Sequence, residues 1–202
     1  MPESPEEFYA RISAAAGADG RLPLPDMSDW RQFPWEVVDG TLVAKVLQPP
    51  VDAEEPREGT DPCRVCRSYG SDRTIWENDH FFVSMLGSHS LPLVLFLQTK
   101  EHLDFPELDD DLAAECGRLE VTLCRIMEAL PHIGRVHVMR IGDGAEHMHD
   151  WFIARPERFA QIIGSLAVEW DEILPPVPEE IRRADAHEVA RHLATHDGRA
   201  LV

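Results

Sequence analysis

Two short segments of this sequence contain residue types that bind metals and carry out nucleophilic chemistry. The first contains Cys63 and Cys66 in the spacing C-x-x-C, and the second contains His147 and His149 within an apolar run. His102, which ends a strongly apolar segment, adds another side chain of the same kind. Thiolate sulfur and imidazole nitrogen are common zinc ligands. These residues therefore supply four zinc-type ligands and one spare histidine.

The C-x-x-C pair has two alternative interpretations, a redox pair and two cysteines packed in the core. The pair lies between Pro62 and a Gly/Ser-containing loop rather than in a strand–helix–strand unit, so the sequence does not favour a thioredoxin-type redox motif. Two other cysteines, Cys116 and Cys124, lie on the apolar face of a predicted helix, where burial as packing residues is expected.

The two histidines of the second segment lie on the same face of a predicted strand. Side chains alternate between the faces of a strand, so His147, His149 and Trp151 point the same way, with alternate positions about 6–7 Å apart. One imidazole can therefore bind a metal while the next reaches a substrate. A neutral imidazole is a competent nucleophile near neutral pH. The turn Gly142-Asp143-Gly144 just before the segment can offer backbone N–H groups to a phosphate, although such turns usually only join strands.

The elements around these residues predict an α+β domain, in which an antiparallel sheet is crossed by one long helix. The helix is expected over 109–130 because its apolar positions follow helical spacing and three acids lie at its start. Four or five strands are expected from alternating or continuous apolar runs, over 74–76, 81–85, 93–98, 135–140 and 147–153.

The remaining parts of the chain are predicted to be extensions of this domain. Residues 1–60 form an N-terminal extension and linker with a short helix near 6–16 and a strand-like run over 41–47. The core domain covers 61–156. Residues 157–202 form a helical C-terminal extension, with helices expected over 157–174 and 179–195.

Composition excludes several classes of function. Among 202 residues, 37 are acidic and 19 are basic, for a net charge of −18. Nucleic-acid polymers need a basic surface and are not expected as partners, whereas a small phosphorylated ligand can bind in a local nest of N–H groups. No apolar run is long enough to cross a membrane, and the acidic start is unlike a signal peptide. We therefore predict a cytoplasmic protein with reduced cysteines and no membrane partner.

From Cys63 to Arg155 the sequence resembles the histidine-triad (HIT) superfamily, in its zinc-bearing branch. The family motif His-φ-His-φ-His-φ-φ is matched in part by residues 147–153. The resemblance implies that Cys63, Cys66, His102 and His147 bind zinc. Such a zinc would be structural, because four protein ligands leave no position for water.

The resemblance also implies an activity. Members of this family cleave or transfer nucleoside monophosphoryl groups through a nucleotidyl-imidazole on the middle histidine, here His149. We therefore expect a hydrolase or transferase that acts on a nucleotide-like phosphoester or phosphoramidate. Gly142, Asp143, Gly144 and Trp151 are the candidate substrate-binding residues, and a homodimer is expected because family members commonly pair.

Three departures from the family pattern support an alternative function. Trp151 replaces the third histidine, and an indole N–H cannot take up a proton. Leu86 stands where the family has an acid that holds the ribose hydroxyls. Asp143 stands in the phosphate loop, where a carboxylate repels phosphate unless it is protonated or paired. The alternative is a non-catalytic, zinc-stabilised HIT-like binding module.

Overall fold

The computed structural model describes residues 2–59 and 63–202 and shows a six-stranded antiparallel sheet with the strand order β6-β7-β5-β4-β3-β8. The helices are α1 (Pro5–Ala15), α2 (Arg64–Ser68), α3 (Asp110–Glu128) and α4 (Glu179–Leu193). The strands are β1 (Trp35–Val38), β2 (Thr41–Ala44), β3 (Thr74–Glu77), β4 (Phe81–Met85), β5 (Leu93–Thr99), β6 (Ile133–Arg140), β7 (His149–Pro156) and β8 (Arg199–Ala200). The predicted α+β class and antiparallel sheet are confirmed.

The central strands β3, β4 and β5 are buried on both faces, which explains their continuous apolar sequences. On one face they pack with α3 and α4 around residues such as Leu95, Leu123 and Val189. On the other face, α1 and a short 3₁₀ helix cover one end of the sheet through Phe8 and Ala167. The uncovered end of this second face is where the candidate site lies.

The long helix α3 confirms the prediction over 109–130 almost to the residue. The Asp109 carboxylate caps its first turn by accepting the N–H of Leu112, and Asp110 and Asp111 complement the positive end of the helix dipole. Its buried side chains recur at helical spacing and face the sheet. The helix therefore forms for local reasons and is oriented by the burial of its apolar stripe.

The N-terminal region contains the predicted short helix and a β-hairpin. Ser4 and Glu7 form a reciprocal capping box at the start of α1. The strand-like run over 41–47 is shorter than predicted, since β2 ends at Ala44, and it pairs with β1. Most side chains of both hairpin strands are exposed.

The helix predicted over 157–174 is wrong. Arg158 and Gly164 both have positive φ, which interrupts a right-handed helix, and only a 3₁₀ helix follows at Ser165–Glu172. The Asp171 carboxylate instead accepts the N–H groups of Ser90 and Leu91 in the loop before β5. This segment is thus shaped by contacts with the sheet rather than by its own periodicity.

The final helix, predicted over 179–195, is confirmed as α4, and the chain beyond it returns to the sheet. β8 pairs with β3 and adds a sixth strand that the sequence did not predict. Gly198 makes the return possible, because its φ is +66° and a Cβ there would lie 2.3 Å from the Glu77 carbonyl oxygen.

The division into 1–60, 61–156 and 157–202 stays a prediction, and its first boundary lies outside the described residues. Within the parts of the chain that the structure describes, no helix has the length and apolar character needed to span a membrane.

Candidate metal centre and adjoining cleft

The structure brings together the four side chains predicted as metal ligands. Cys63 caps the N-terminus of α2 and Cys66 lies within that helix, while His102 follows β5 and His147 precedes β7. Their ligand atoms all lie within 4.8 Å of one another. Cys66 Sγ is 3.4 Å from Nδ1 of both His102 and His147, and Cys63 Sγ is 3.5 Å from Nδ1 of His147.

These distances fit a tetrahedral zinc ion. Zn–S bonds of about 2.3 Å and Zn–N bonds of about 2.05 Å at tetrahedral angles put sulfur and nitrogen about 3.6 Å apart. The three observed S···N distances are within about 0.2 Å of that value. Two sulfurs and two nitrogens complete four-coordination, so this donor set suits a structural rather than a catalytic metal.

The orientation of His147 is set by a contact behind it. Its Nε2–H donates a hydrogen bond of 2.8 Å to the Thr99 carbonyl at the end of β5, which leaves the Nδ1 lone pair directed at the two sulfurs. Burial lowers the pKa of His147, so the neutral imidazole that a metal requires is the favoured form. The ligand arrangement therefore comes from the fold around it.

His149, the candidate nucleophile, is the first residue of β7 and is partly buried. Its Nδ1 lies 2.5 Å from the His147 carbonyl oxygen, which can only accept, so Nδ1 carries the proton. In the neutral imidazole the lone pair is therefore on Nε2. The strand predicted over 147–153 is observed as β7, which begins two residues later, so His147 lies just outside it. The His149 ring is linked to His147 through the backbone carbonyl of that residue.

His149 lines a cleft of about 400 Å³ on the uncovered part of the sheet. The strand register places His149 beside Gln98, and Trp151 beside Phe96, which in turn lies beside Ser84. The floor therefore consists of one face of β4, β5 and β7, namely Ser84, Leu86, Phe96, Gln98, His149 and Trp151. Helix α2 and the loop before β7 complete the wall through Arg64 and Ala145.

The predicted substrate-binding residues lie in two places. Gly144 and Trp151 line the cleft, whereas Gly142 and Asp143 are not part of its lining. The Trp151 ring packs edge-on against Phe96 with centroids 4.4 Å apart. Among the described residues the buried Trp151 Nε1–H has no hydrogen-bond partner.

The loop that contains Gly142 to Gly144 is held by residues of the N-terminal region. Glu58 donates its N–H to the Gly144 carbonyl and accepts the N–H of Glu146. Arg57 donates to the Ala145 carbonyl at 2.6 Å and forms an ion pair with Asp104. The sequence did not predict this bracing, because no local pattern marks Arg57 and Glu58.

The opposite face of β7 contains a buried polar cluster. Asp150 forms a bidentate ion pair with Arg140, at 2.9 and 3.0 Å. Burial and the neighbouring Asp150 carboxylate raise the pKa of Glu120 to about 7. Cys116, Glu120 and Asp150 could by composition hold a metal, but Arg140 engages both oxygens of Asp150. Asp150 and Arg140 therefore form a structural ion pair, which explains why an acidic residue occurs within the apolar strand β7.

Comparisons with known proteins are informative at the level of structure only. No family model matches the chain, and no curated protein does. A hypothetical histidine triad nucleotide-binding protein from Sulfolobus tokodaii matches with a TM-score of 0.52 at 14% identity, over 66% of this chain and 93% of the other. A Zn-bound histidine triad family protein from Mycobacterium smegmatis matches with a TM-score of 0.50 at 16% identity, over 69% of this chain and 100% of the other. This chain therefore has the fold of the histidine triad proteins.

Proposed function

We propose that this protein is a zinc-stabilised HIT-like hydrolase or transferase acting on a nucleotide-like phosphoester or phosphoramidate through His149. The observation that carries the proposal is the hydrogen bond from Nδ1–H of His149 to the His147 carbonyl, which places the lone pair of the neutral imidazole on Nε2, in a residue that lines the cleft. An unprotonated imidazole nitrogen beside a cavity is the requirement for attack on phosphorus.

The proposed reaction has two steps. The Nε2 lone pair attacks phosphorus and the P–O or P–N bond to the leaving group breaks, with the bonding electrons going to the leaving group. The His147 carbonyl faces the ring N–H and stabilises the positive charge that develops on the imidazole. In the second step, water or another acceptor bonds to phosphorus, its proton goes to solvent, and Nε2 regains its lone pair.

Zinc held by Cys63, Cys66, His102 and His147 would supply structural rigidity. The Zn-bound relative from Mycobacterium smegmatis and the 3.4–3.5 Å spacing of the ligand atoms support this assignment. A structural zinc site contributes about 10–16 kcal/mol of apparent binding free energy that is coupled to folding. The carbonyl that orients His149 belongs to a metal ligand, so the metal would also hold the nucleophile in place.

The alternative function is a non-catalytic binding module with the same fold. Leu86 in the cleft floor supports it, because an aliphatic side chain offers no acceptor to ribose hydroxyls. Trp151 supports it too, because an indole cannot shuttle a proton to a leaving group. The retained His149 in the cleft supports the enzyme.

Mass spectrometry of the intact protein distinguishes the two functions. Incubation with a nucleoside phosphoramidate or a dinucleoside polyphosphate, followed by rapid quenching, should add the mass of one nucleotidyl group. His149→Ala should abolish the adduct, and His196→Ala, at an exposed histidine after α4, should retain it. If a broad substrate panel yields neither adduct nor turnover, the binding module is the better description.

We also propose a cytoplasmic homodimer. Among the described strands, β6 ends the sheet and has no neighbour on its outer side, and an unpaired edge is a common place for a second chain to add. Sedimentation of the purified protein tests this state, and a monomer at high concentration contradicts it.

A further inference from the structure

The charge of the cleft is opposite to that of the whole protein. The chain carries a net charge of −18, yet the charged side chains that line the cleft in the described structure are Arg64 and Arg73, with no carboxylate among them. A cleft whose charged side chains are all cationic concentrates anions locally, even in an acidic protein. The ligand of this cleft is therefore expected to be anionic.

The two arginines differ in their availability. Arg64 is engaged by Glu58, whose two oxygens lie 2.7–3.2 Å from its guanidinium and backbone nitrogens. Arg73 forms no ion pair within the described part of the chain, since the neighbouring Asp72 carboxylate is bound by Arg183 at 2.8 Å. Arg73 thus keeps a complete guanidinium fork for a ligand.

Arg73 lies at the end of the cleft away from His149. It precedes β3, and its carbonyl accepts the N–H of Met85 at the end of β4. β3 is three strands from β7, so at least about 14 Å separates the backbones of the two residues at about 4.8 Å per strand.

The backbone beneath Arg73 is held in position. A Cβ built on Gly87 would come within 3.0 Å of its Nη1, so Gly87 makes room for the guanidinium next to Leu86. The buried Arg182 of α4 donates to the carbonyls of Leu86 and Gly87. The C-terminal helix therefore fixes this end of the cleft.

A buried donor lies between the two ends. Gln98 is only 5% exposed and lines the cleft, and its Oε1 is occupied by the Ser84 hydroxyl at 2.8 Å. The Nε2 of Gln98 has no partner within the described residues and can donate to a ligand. Gln98 therefore places one donor on β5, between His149 on β7 and Arg73 before β3.

We propose that the substrate is a phosphoester with a second anionic group, a phosphate or a carboxylate, which Arg73 binds while His149 faces the reacting phosphorus. This inference rests on the proposed function. Arg73 then determines the class of substrate, because it favours a ligand with a second negative charge. The neighbouring Leu86 offers no acceptor to the two hydroxyls of a ribose at the same position.

Calorimetric titration with two matched pairs of ligands tests this assignment. Adenosine 5′-monophosphate is compared with adenosine 3′,5′-bisphosphate, and phenyl phosphate is compared with 4-carboxyphenyl phosphate. In at least one pair, the ligand with two anionic groups should bind about tenfold more tightly, the size expected of one charge-assisted bidentate contact in a solvent-accessible cleft. The pair that responds identifies the second anion as phosphate or carboxylate.

The Arg73→Gln variant should remove this preference, so that the two ligands of the responding pair bind within about twofold of each other. The matched control is Arg118→Gln, at an exposed arginine of α3 on the opposite face of the sheet, which should keep the preference. No preference in either pair, or a preference that survives Arg73→Gln, would overturn the proposal.

The binding test of Arg73 can succeed or fail independently of the test of catalysis by His149. The preference is measured as binding and should persist in His149→Ala, which removes the nucleophile at the other end of the cleft. A preference without any nucleotidyl adduct would reject the chemistry and keep the Arg73 assignment, and an adduct without a preference would do the reverse.

Discussion

Replacing Cys63 with serine should unfold the protein or leave it without zinc. Cys63 is 2% exposed, caps α2, and packs with Val65, Phe82 and Ala145. A structural zinc site of this kind contributes about 10–16 kcal/mol of apparent binding free energy, whereas a native domain is stable by only about 5–15 kcal/mol. Loss of one thiolate therefore removes free energy comparable to the whole stability.

Zinc content and thermal unfolding measure the effect together. The wild-type protein should contain about one zinc per chain by elemental mass spectrometry, and a chelator should lower its melting temperature. Cys63→Ser should lose both the zinc and the cooperative transition.

Cys124→Ser is the matched control. Cys124 lies on α3, is only partly buried and does not belong to the ligand cluster, so this variant should keep its zinc and most of its stability. A zinc-free wild-type protein with an unchanged melting curve, or a Cys63→Ser variant that retains its full zinc content, would refute the reasoning.

Two further predictions concern stability at the C-terminal end of the sheet. Hydrogen bonds from Tyr69 and Arg199 lower the pKa of Glu77 from 4.5 to about 2, equivalent to at most about 3 kcal/mol, so this stabilisation is present above pH 4.5 and is lost as the pH falls towards 2. Urea unfolding should show a smaller loss of stability over that interval in Glu77→Gln, and an identical pH profile would contradict the assignment. Gly198→Ala should destabilise the protein by more than about 1 kcal/mol, since φ is positive and its Cβ meets the Glu77 carbonyl. Gly117→Ala in α3, where a Cβ meets nothing within 4 Å, is the control and should be neutral or stabilising in the same thermal melts.

Much of the candidate site could be predicted because its chemistry depends on residue type and short spacing. A C-x-x-C pair puts two thiols on one turn, so the sequence alone indicates that Cys63 and Cys66 act together. Alternation along a strand likewise places His149 and Trp151 on one face. The strand at 81–85 and helix α3 were predictable for the same reason, since the spacing of their apolar residues indicates which side chains each element buries.

Other features depend on contacts between distant segments. The segment after residue 157 has a helical composition, yet Asp171 is bound to backbone groups about eighty residues away in sequence and the chain turns at Gly164. β8 is only two residues long and exists because β3 offers an edge to pair with. No local periodicity encodes either contact.

Residue types and their spacing indicated which side chains are suited to bind a metal, and the family resemblance predicted that His149 attacks phosphorus. Only the tertiary structure decided that these groups lie in or beside one cleft, that Arg73 lies at its far end, and that residues from the N-terminal and C-terminal regions hold its walls. The physical reason is the range of the forces involved. Ligand chemistry and helical or strand periodicity are properties of a few neighbouring residues, whereas the shape and charge of a cavity depend on which distant surfaces are buried against each other.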